Sequence, residues 1–294
     1  MKFEYQQTET GMELTAYHGN DPIVTIPDKI EGTPITSIGK YAMEGHNEIT
    51  ELVLPAALDT IKAHAFYNCR NLEKISLSDM VTEIEDGAFK NCRSLRVLHM
   101  QVIQGKMTCL KNLLSELNQE LHIKMDYIED GQVKKESKLV FPKYAYDYVD
   151  NVEARIINQV TYGSGVHYRE CMKEKDVDFR KYDHVFSVAV VNDTFETLFT
   201  IARYRLEYPY ELQEEAKNIY ENYIREHFYE IAEYCIKEED MDGLLFLGDY
   251  QFLTKETIDE VIQTAHRMEK VECVSVLLNY KKEHFKQEKK RFEL

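Results

Sequence analysis

His64 and Cys69, close together in HAFYNCRNLEKISL, are the residue types of a base and a nucleophile. A reactive thiolate needs such a base beside it, and a fold normally supplies that pair once. The stretch returns downstream as GAFKNCRSLRVLHM, where Cys92 replaces Cys69 but Gly87 replaces His64. A cysteine repeated without its histidine is expected to pack as a small buried residue. His64, in a column with no shared chemistry, is expected at the surface. None of the six cysteines forms a CxxC pair or a zinc spacing.

Other residues could also do chemistry. His99 and His122 stand one repeat apart at outward positions, so adjacent strands would place them ~5 Å apart. Two ligands do not make a metal site, so a surface stripe is the preferred reading and no metal is assigned. YGSGVHYRE (162–170) has a Ser-x-x-His spacing but lacks the Lys-Ser/Thr of a phosphate loop and the nucleophile-elbow pattern. A turn leading into a helix is expected there, with Gly163 and Gly165 in unusual backbone conformations. FPKYAYDYV places Tyr144, Tyr146 and Tyr148 on one side. Tyrosines are common binding anchors, but packing between the two halves of the chain is the preferred role. KKEHFKQEKKRF at the C-terminus reads as a solvated helix end. No catalytic residue and no cofactor are assigned.

The elements that must carry these residues come from a repeat. Ile38, Ile61 and Ile84 match at a period of 23, as do Ala42, Ala65 and Ala88, and then Met43, Phe66 and Phe89. Ile49, Leu72 and Leu95 continue the pattern, with Leu52, Ile75 and Leu98 and then Leu54, Leu77 and Met100. Ile75 and Leu77 alternate with Lys74 and Ser76, the period of a half-buried strand. One such unit cannot bury its own apolar face, so neighbours must stack. The Ala-Phe pairs belong on connecting turns. A degraded fourth copy spans 101–125, with Leu121 and Ile123 expected in register with Leu98 and Met100.

The phrases ITSIGKYAMEGHNEITELVLP, LDTIKAHAFYNCRNLEKISLS and VTEIEDGAFKNCRSLRVLHM resemble BspA-like leucine-rich repeats of bacterial surface antigens. MELTAYHGNDPIVTIPDKIEGTPITSIG resembles that family's N-terminal cap, so the likeness runs over residues 3–125. It implies a right-handed solenoid with parallel strands on one face and a role in protein or surface binding, without catalysis. Such proteins are commonly exported with many repeats, whereas three copies are clear here.

After a polar segment with a turn at Asp130-Gly131, helices are expected at about 179–191, 193–207, 211–236, 240–250, 255–268 and 270–286. Thr254 is read as an N-cap, with Thr257 where a capping box needs Glu or Gln, so no box is expected. Ala232 and Ala265, Leu244 and Leu277, and Leu245 and Leu278 match at a period of 33, the ankyrin length. GSGVHYREC, DFRKYDHVF, ARYRLEYP and LLNYKKEHF make this half similar to the helical region that follows such repeats in some gut-bacterial proteins.

The net charge of −16 disfavours nucleic acid and anionic membrane surfaces. No segment approaches the ~20 apolar residues of a membrane span, and the N-terminus lacks a secretory apolar run. The expected location is cytoplasmic, or the cell surface if a leader precedes this sequence. The expected fold class is α+β. It comprises a short leucine-rich-repeat solenoid with cap (1–128, clear repeats 35–100), a junction (129–175) and an all-α, ankyrin-like helical-repeat domain (176–294). The expected function is a non-catalytic protein-binding module or scaffold. Its partner is a protein of unknown identity, met through Lys74, Ser76, Val97, His99 and His122, with Tyr144, Tyr146 and Tyr148 as further contacts. The alternatives are an exported adhesin-like protein and an enzyme with a site between the halves near His167, Arg169 or Glu170.

Overall fold

The computed structural model describes residues 2–151, 156–173 and 176–285, and at 147–151 and 156–160 the main chain alone. It divides into two compact units, Met1–Gln213 and Glu214–Leu294. The division falls downstream of the 129–175 segment at which composition changes.

The first unit begins with a β-solenoid. Strands β1 (Phe3–Gln7), β2 (Met12–Tyr17), β5 (Thr33–Ile38), β7 (Thr60–Ile61) and β9 (Glu83–Ile84) form one sheet in that order, with β4 (Lys29–Ile30) paired to β5. A second sheet runs β3 (Ile23–Thr25), β6 (Glu51–Val53), β8 (Lys74–Ser78), β10 (Val97–Val102), β11 (Leu121–Glu129), β12 (Gln132–Phe141). From β3 to β11 this sheet is parallel, and β11–β12 is an antiparallel hairpin. Asp130 and Gly131 turn it, both at positive φ, as the Asp-Gly pair requires. The repeated apolar columns line the interior: Ile38, Ile61, Ala65, Ile75, Ala88, Phe89, Leu95 and Leu98 are fully buried.

The turns explain the repeat. Phe66 N–H donates to Ala88 O (2.9 Å) and Asn68 N–H to Lys90 O (3.0 Å). One turn earlier Met43 donates to Ala65 O and Gly45 to Tyr67 O. This ladder of main-chain bonds sets each turn on the next, and Phe66 stacks on Phe89 with ring centroids 5.0 Å apart. Two positions per turn lie at positive φ. One column is Gly45, Asn68 and Asn91, types that tolerate the left-handed region, and Asn91 Nδ2 donates to Asn68 Oδ1 at 2.9 Å. The other is Tyr41, His64 and Gly87, at φ 59, 60 and 68. The column of His64 therefore repeats in conformation although not in chemistry. His64 is also half-buried between Tyr41 and Tyr67, not fully at the surface.

Helix α1 (Thr108–Glu116) replaces the fourth turn. Its Glu116 carboxylate accepts from Gly87 N–H (2.9 Å) and Phe89 N–H (3.1 Å), the second of them an amide that a further turn would have satisfied, as Ala65 O and Ala88 O do for Met43 and Phe66. Gln119 Nε2 donates to Cys92 O and Leu95 O. This helical cap lengthens the last repeat by two positions. Leu98 pairs with Ile123 and Met100 with Met125, so the expected register of Leu121 with Leu98 is off by two.

The 129–175 segment, given no elements from the sequence beyond its turns, holds β12 and a second hairpin, β13 (Ala145–Asn151) with β14 (Ile156–Tyr162). Short helix α2 (Gly165–Arg169) follows, then α3 (Phe179–Asn192) and α4 (Phe195–Glu207). Helix α4 packs on β12. Tyr182 Oη on α3 donates to Val140 O (2.7 Å) and accepts from Val140 N–H (2.9 Å), closing part of the sheet edge. Arg205 is fully buried and grips Asp183 with two bonds, Nε–Oδ1 at 2.7 Å and Nη2–Oδ2 at 3.0 Å.

The second unit contains α5 (Glu214–Glu226), α6 (Phe228–Lys237), α7 (Met241–Asp249), α8 (Ile258–Arg267) and α9 (Val271–His284). The single helix expected over 211–236 breaks at His227, whose φ and ψ leave the helical region. Hairpins α6–α7 and α8–α9 stack, α6 on α8 and α7 on α9. Their turns are equivalent. Glu239 and Glu269 both sit at positive φ, while Asp240 N–H donates to Cys235 O and Lys270 N–H to Ala265 O, the long bond of a Schellman motif. The helical period is therefore the step from Glu239 to Glu269, three positions short of the expected ankyrin length, and Leu247 with Leu277 are the buried equivalents. Helix α8 starts after Thr257 and not Thr254, and the Thr257 side chain caps no N–H of the helix; in the turn before it Thr257 Oγ1 accepts from Thr254 N–H at 3.0 Å, and Thr254 Oγ1 from Thr257 N–H at 3.4 Å.

Candidate interaction face

The outward positions of the second sheet form rows set by strand register. Glu51, Lys74, Val97 and His122 make one row. Val53, Ser76, His99 and Lys124 make the next. His99 is thus level with Lys124, and His122 with Val97. The two histidines are not cross-strand partners, because the cap adds two positions between them.

Lys74, His99 and Lys124 of these rows each have a partner. Lys74 Nζ meets Glu51 Oε1 at 2.8 Å. Lys124 Nζ lies 2.6 Å from Glu136 Oε1 and 3.2 Å from Asp126 Oδ1. His99 Nε2 is 2.6 Å from Asp126 Oδ2. Burial would raise the Asp126 carboxyl pKa, but the bonds from His99 and Lys124 outweigh it and hold the group below the ordinary carboxylate value. Val97 stands between these pairs, 38% exposed. Below it Ser76, Ser78, His99, Gln101, Val53 and Asp28 line a shallow depression of about 200 Å³. Lys74, Ser76, Val97 and His99 therefore share one open patch.

His122 does not belong to it. Its Nε2 is 3.0 Å from Glu120 Oε1 and its Nδ1 3.3 Å from Tyr204 Oη on α4, while Glu120 also accepts from Thr197 Oγ1 at 2.6 Å. Lys138 Nζ lies 3.8 Å from the Tyr204 ring centroid. Helix α4 covers this end of the face, and nothing within residues 101–125 signalled that.

The remaining sequence candidates have structural roles. Cys69 and Cys92 are buried, their thiols donating to Met43 O (3.0 Å) and Phe66 O (3.2 Å). Burial pushes the Cys69 thiol up to about 12, far from a reactive thiolate. Ser164 of YGSGVHYRE bonds to the Asp193 carboxylate. Gly163 has φ 82, but Gly165 has an ordinary φ and is needed because a Cβ there would strike Pro142 O. The Arg169 guanidinium donates to five carbonyls: Leu114, Leu117, Gln119, Pro142 and Gly165. It also lies 4.6 Å from the Tyr144 ring centroid. With burial lowering its pKa to about 10 and every face engaged, Arg169 ties α1, β12 and α2 together. Tyr144 packs in that junction and against Tyr146, which is 44% exposed. The Tyr148 side chain lies outside the described residues. Among the described residues no group of three or more His, Cys, Asp or Glu could hold a metal ion, and no helix is long and apolar enough to cross a membrane.

The two-sheet solenoid, its stacked turns and its apolar columns fit one known family model, the BspA type leucine rich repeat region, which matches residues 23–129 in six copies. Residues 23–129 are a BspA-type leucine-rich repeat region. Similar solved structures include a leucine-rich repeat protein from Bacteroides capillosus, 26% identical, covering 33% of this chain and 77% of that one at a TM-score of 0.31. Another, from Bacteroides ovatus, is 25% identical and covers 35% of this chain but 30% of that one, also at 0.31. A leucine rich cell surface protein from Faecalibacterium prausnitzii is 20% identical over 33% of this chain and 38% of that one, at 0.21. No curated protein matches the chain. The leucine-rich repeat match ends at residue 129, ahead of α2 to α9.

Proposed function

We propose that the chain is a non-catalytic protein-interaction module whose leucine-rich repeat region engages a protein partner through the open strand face. The patch of Lys74, Ser76, Val97 and His99 carries this reading. Lys74 is already paired with Glu51 and His99 already bonded to Asp126, so covering the patch costs less desolvation than covering unpaired polar groups. Val97 offers an apolar centre, and the sheet is preformed, so little ordering entropy is lost on binding. Solenoids present extended surfaces suited to this use. His122 is left out of the binding set because α4 holds it. Tyr146 remains a secondary contact at the rim of the region. A soluble or a surface-displayed partner would meet the same face.

The test is a triple variant, Ser76→Arg, Val97→Asp and His99→Ala, beside a control triple at exposed positions of the opposite sheet and its flank, Gln7, Thr82 and Glu83. Proteins captured by the unmodified chain should be lost from the first and kept by the second, with both variants melting close to the parent. Retention of every partner by the strand-face variant would remove the assignment.

A further inference from the structure

The main-chain ladder of the turns ends at a groove. Gly45 N–H and Asn68 N–H each donate to a carbonyl of the following turn, Tyr67 O and Lys90 O. Asn91 is the third member of that column, at the same left-handed φ, and no following turn exists because α1 stands there. Glu116 satisfies Gly87 and Phe89 but does not reach Asn91, whose N–H has no partner among the described residues. The groove beside it, about 390 Å³, is lined by Gly87, Lys90, Asn91, Arg93, Glu116 and Asn118.

Two cations and two carboxylates line this groove on a strongly acidic chain, and the two cations stand unpaired among the described residues. Lys90 and Arg93 flank it, and Arg70 occupies the column of Arg93 one repeat earlier. All three are exposed, and none has an ion-pair partner among the described residues. Asp86 stands at the rim, while the Glu116 carboxylate is occupied by two amides.

We propose that this groove binds an acidic peptide segment. A main-chain carbonyl of the peptide takes the Asn91 N–H, as the next turn would have done, and its carboxylates meet Lys90 and Arg93. The open N–H favours a peptide over a simple anion, since its counterparts Gly45 and Asn68 both donate to peptide carbonyls. The unpaired cations select acidic side chains, and attraction at an exposed site weakens with salt. The site is separate from the strand face, so either reading stands without the other.

The experiment uses the full chain and a fluorescein-labelled decapeptide of alternating Asp and Ser, with a Lys and Ser decapeptide as the opposite-charge probe. Anisotropy should show saturable binding of the first only. Affinity should fall by roughly tenfold or more in Lys90→Glu/Arg93→Glu and stay unchanged in the strand-face triple variant. Exchange of the Asn91 amide, read by NMR, should be faster than that of Asn68 in the free chain and slow on adding the Asp peptide. If the charge-reversed chain misfolds, Lys90→Gln/Arg93→Gln replaces it with the same expectation. Unaltered affinity in the folded variant, equal binding of the Lys peptide, or an Asn91 amide unaffected by saturating peptide would each overturn the proposal. Full displacement of the peptide by low inorganic phosphate would overturn it as well, making the groove a simple anion site.

Discussion

The leucine-rich repeat region and the stacked hairpins α6–α9 are both repeats, but different forces set their register. In the solenoid the main chain does it: successive turns donate N–H groups to the next until α1 ends the ladder, and two positions per turn hold positive φ. Those demands restrict residue type, which is why Gly, Asn, Ala and Phe return at fixed places. In the helical unit each hairpin satisfies its own main chain, and side chains alone decide how hairpins stack. There Gly248 admits the Tyr280 ring, while its equivalent in the next hairpin is Leu278, 49% exposed. Side-chain packing of this kind accepts many solutions, so successive helical repeats share little sequence.

The largest expected effects separate the two mechanisms. Phe66→Ala should cost about 3–5 kcal/mol by denaturant unfolding, and Leu247→Ala about 2–5 kcal/mol. Hydrogen exchange is the sharper reading. Loss of Phe66 should speed exchange of turn amides on both sides, from Met43 to Phe89, because the ladder runs through it. Loss of Leu247 should speed exchange only within Glu214–Leu294. Equal spreading in both cases would erase the distinction.

Gly248→Ala comes next. A Cβ there would lie 2.5 Å from the Tyr280 ring, so a loss of about 1–3 kcal/mol is expected, relieved when Tyr280 is made Leu. A neutral Gly248→Ala would show that this helix contact is looser than described. Smaller again is Asn68→Ala, expected to lose about 1–2 kcal/mol from the left-handed backbone and the missing bond to Asn91. Asn68→Gly should lose less. Equal losses would mean that backbone conformation is not what selects the column.

The Asp126 carboxyl gives the smallest effect. Its folded pKa is lowered, so its contribution is full above the unfolded carboxylate value near ~3.9 and is lost as pH falls through the folded value. The stability gap between the parent and Asp126→Asn should narrow as pH is taken from 6 towards 3. A gap constant over that range would remove the His99 and Lys124 bonds as its cause.

Legibility in the sequence follows the same division. The strands of the repeats, the Ala-Phe turns and the turn at Asp130-Gly131 were readable because the main chain dictated their residues. The Tyr41, His64 and Gly87 column was not, since three unlike side chains adopt one conformation. The shift that separates His99 from His122 lay in the length of α1, which no column records. The cover over His122 came from Tyr204, far along the chain on α4, a contact without a local signal. Lys74, Ser76, Val97 and His99 were found together because strand alternation alone places them.

The most direct test of the working face is a photoreactive residue introduced singly at position 97, on the strand face, and at position 83, on the opposite sheet. Irradiation in the presence of the captured partner should give a covalent adduct from position 97 and none from position 83. Adducts of equal yield from both positions, or none from position 97 while the partner still co-purifies, would contradict binding through this face.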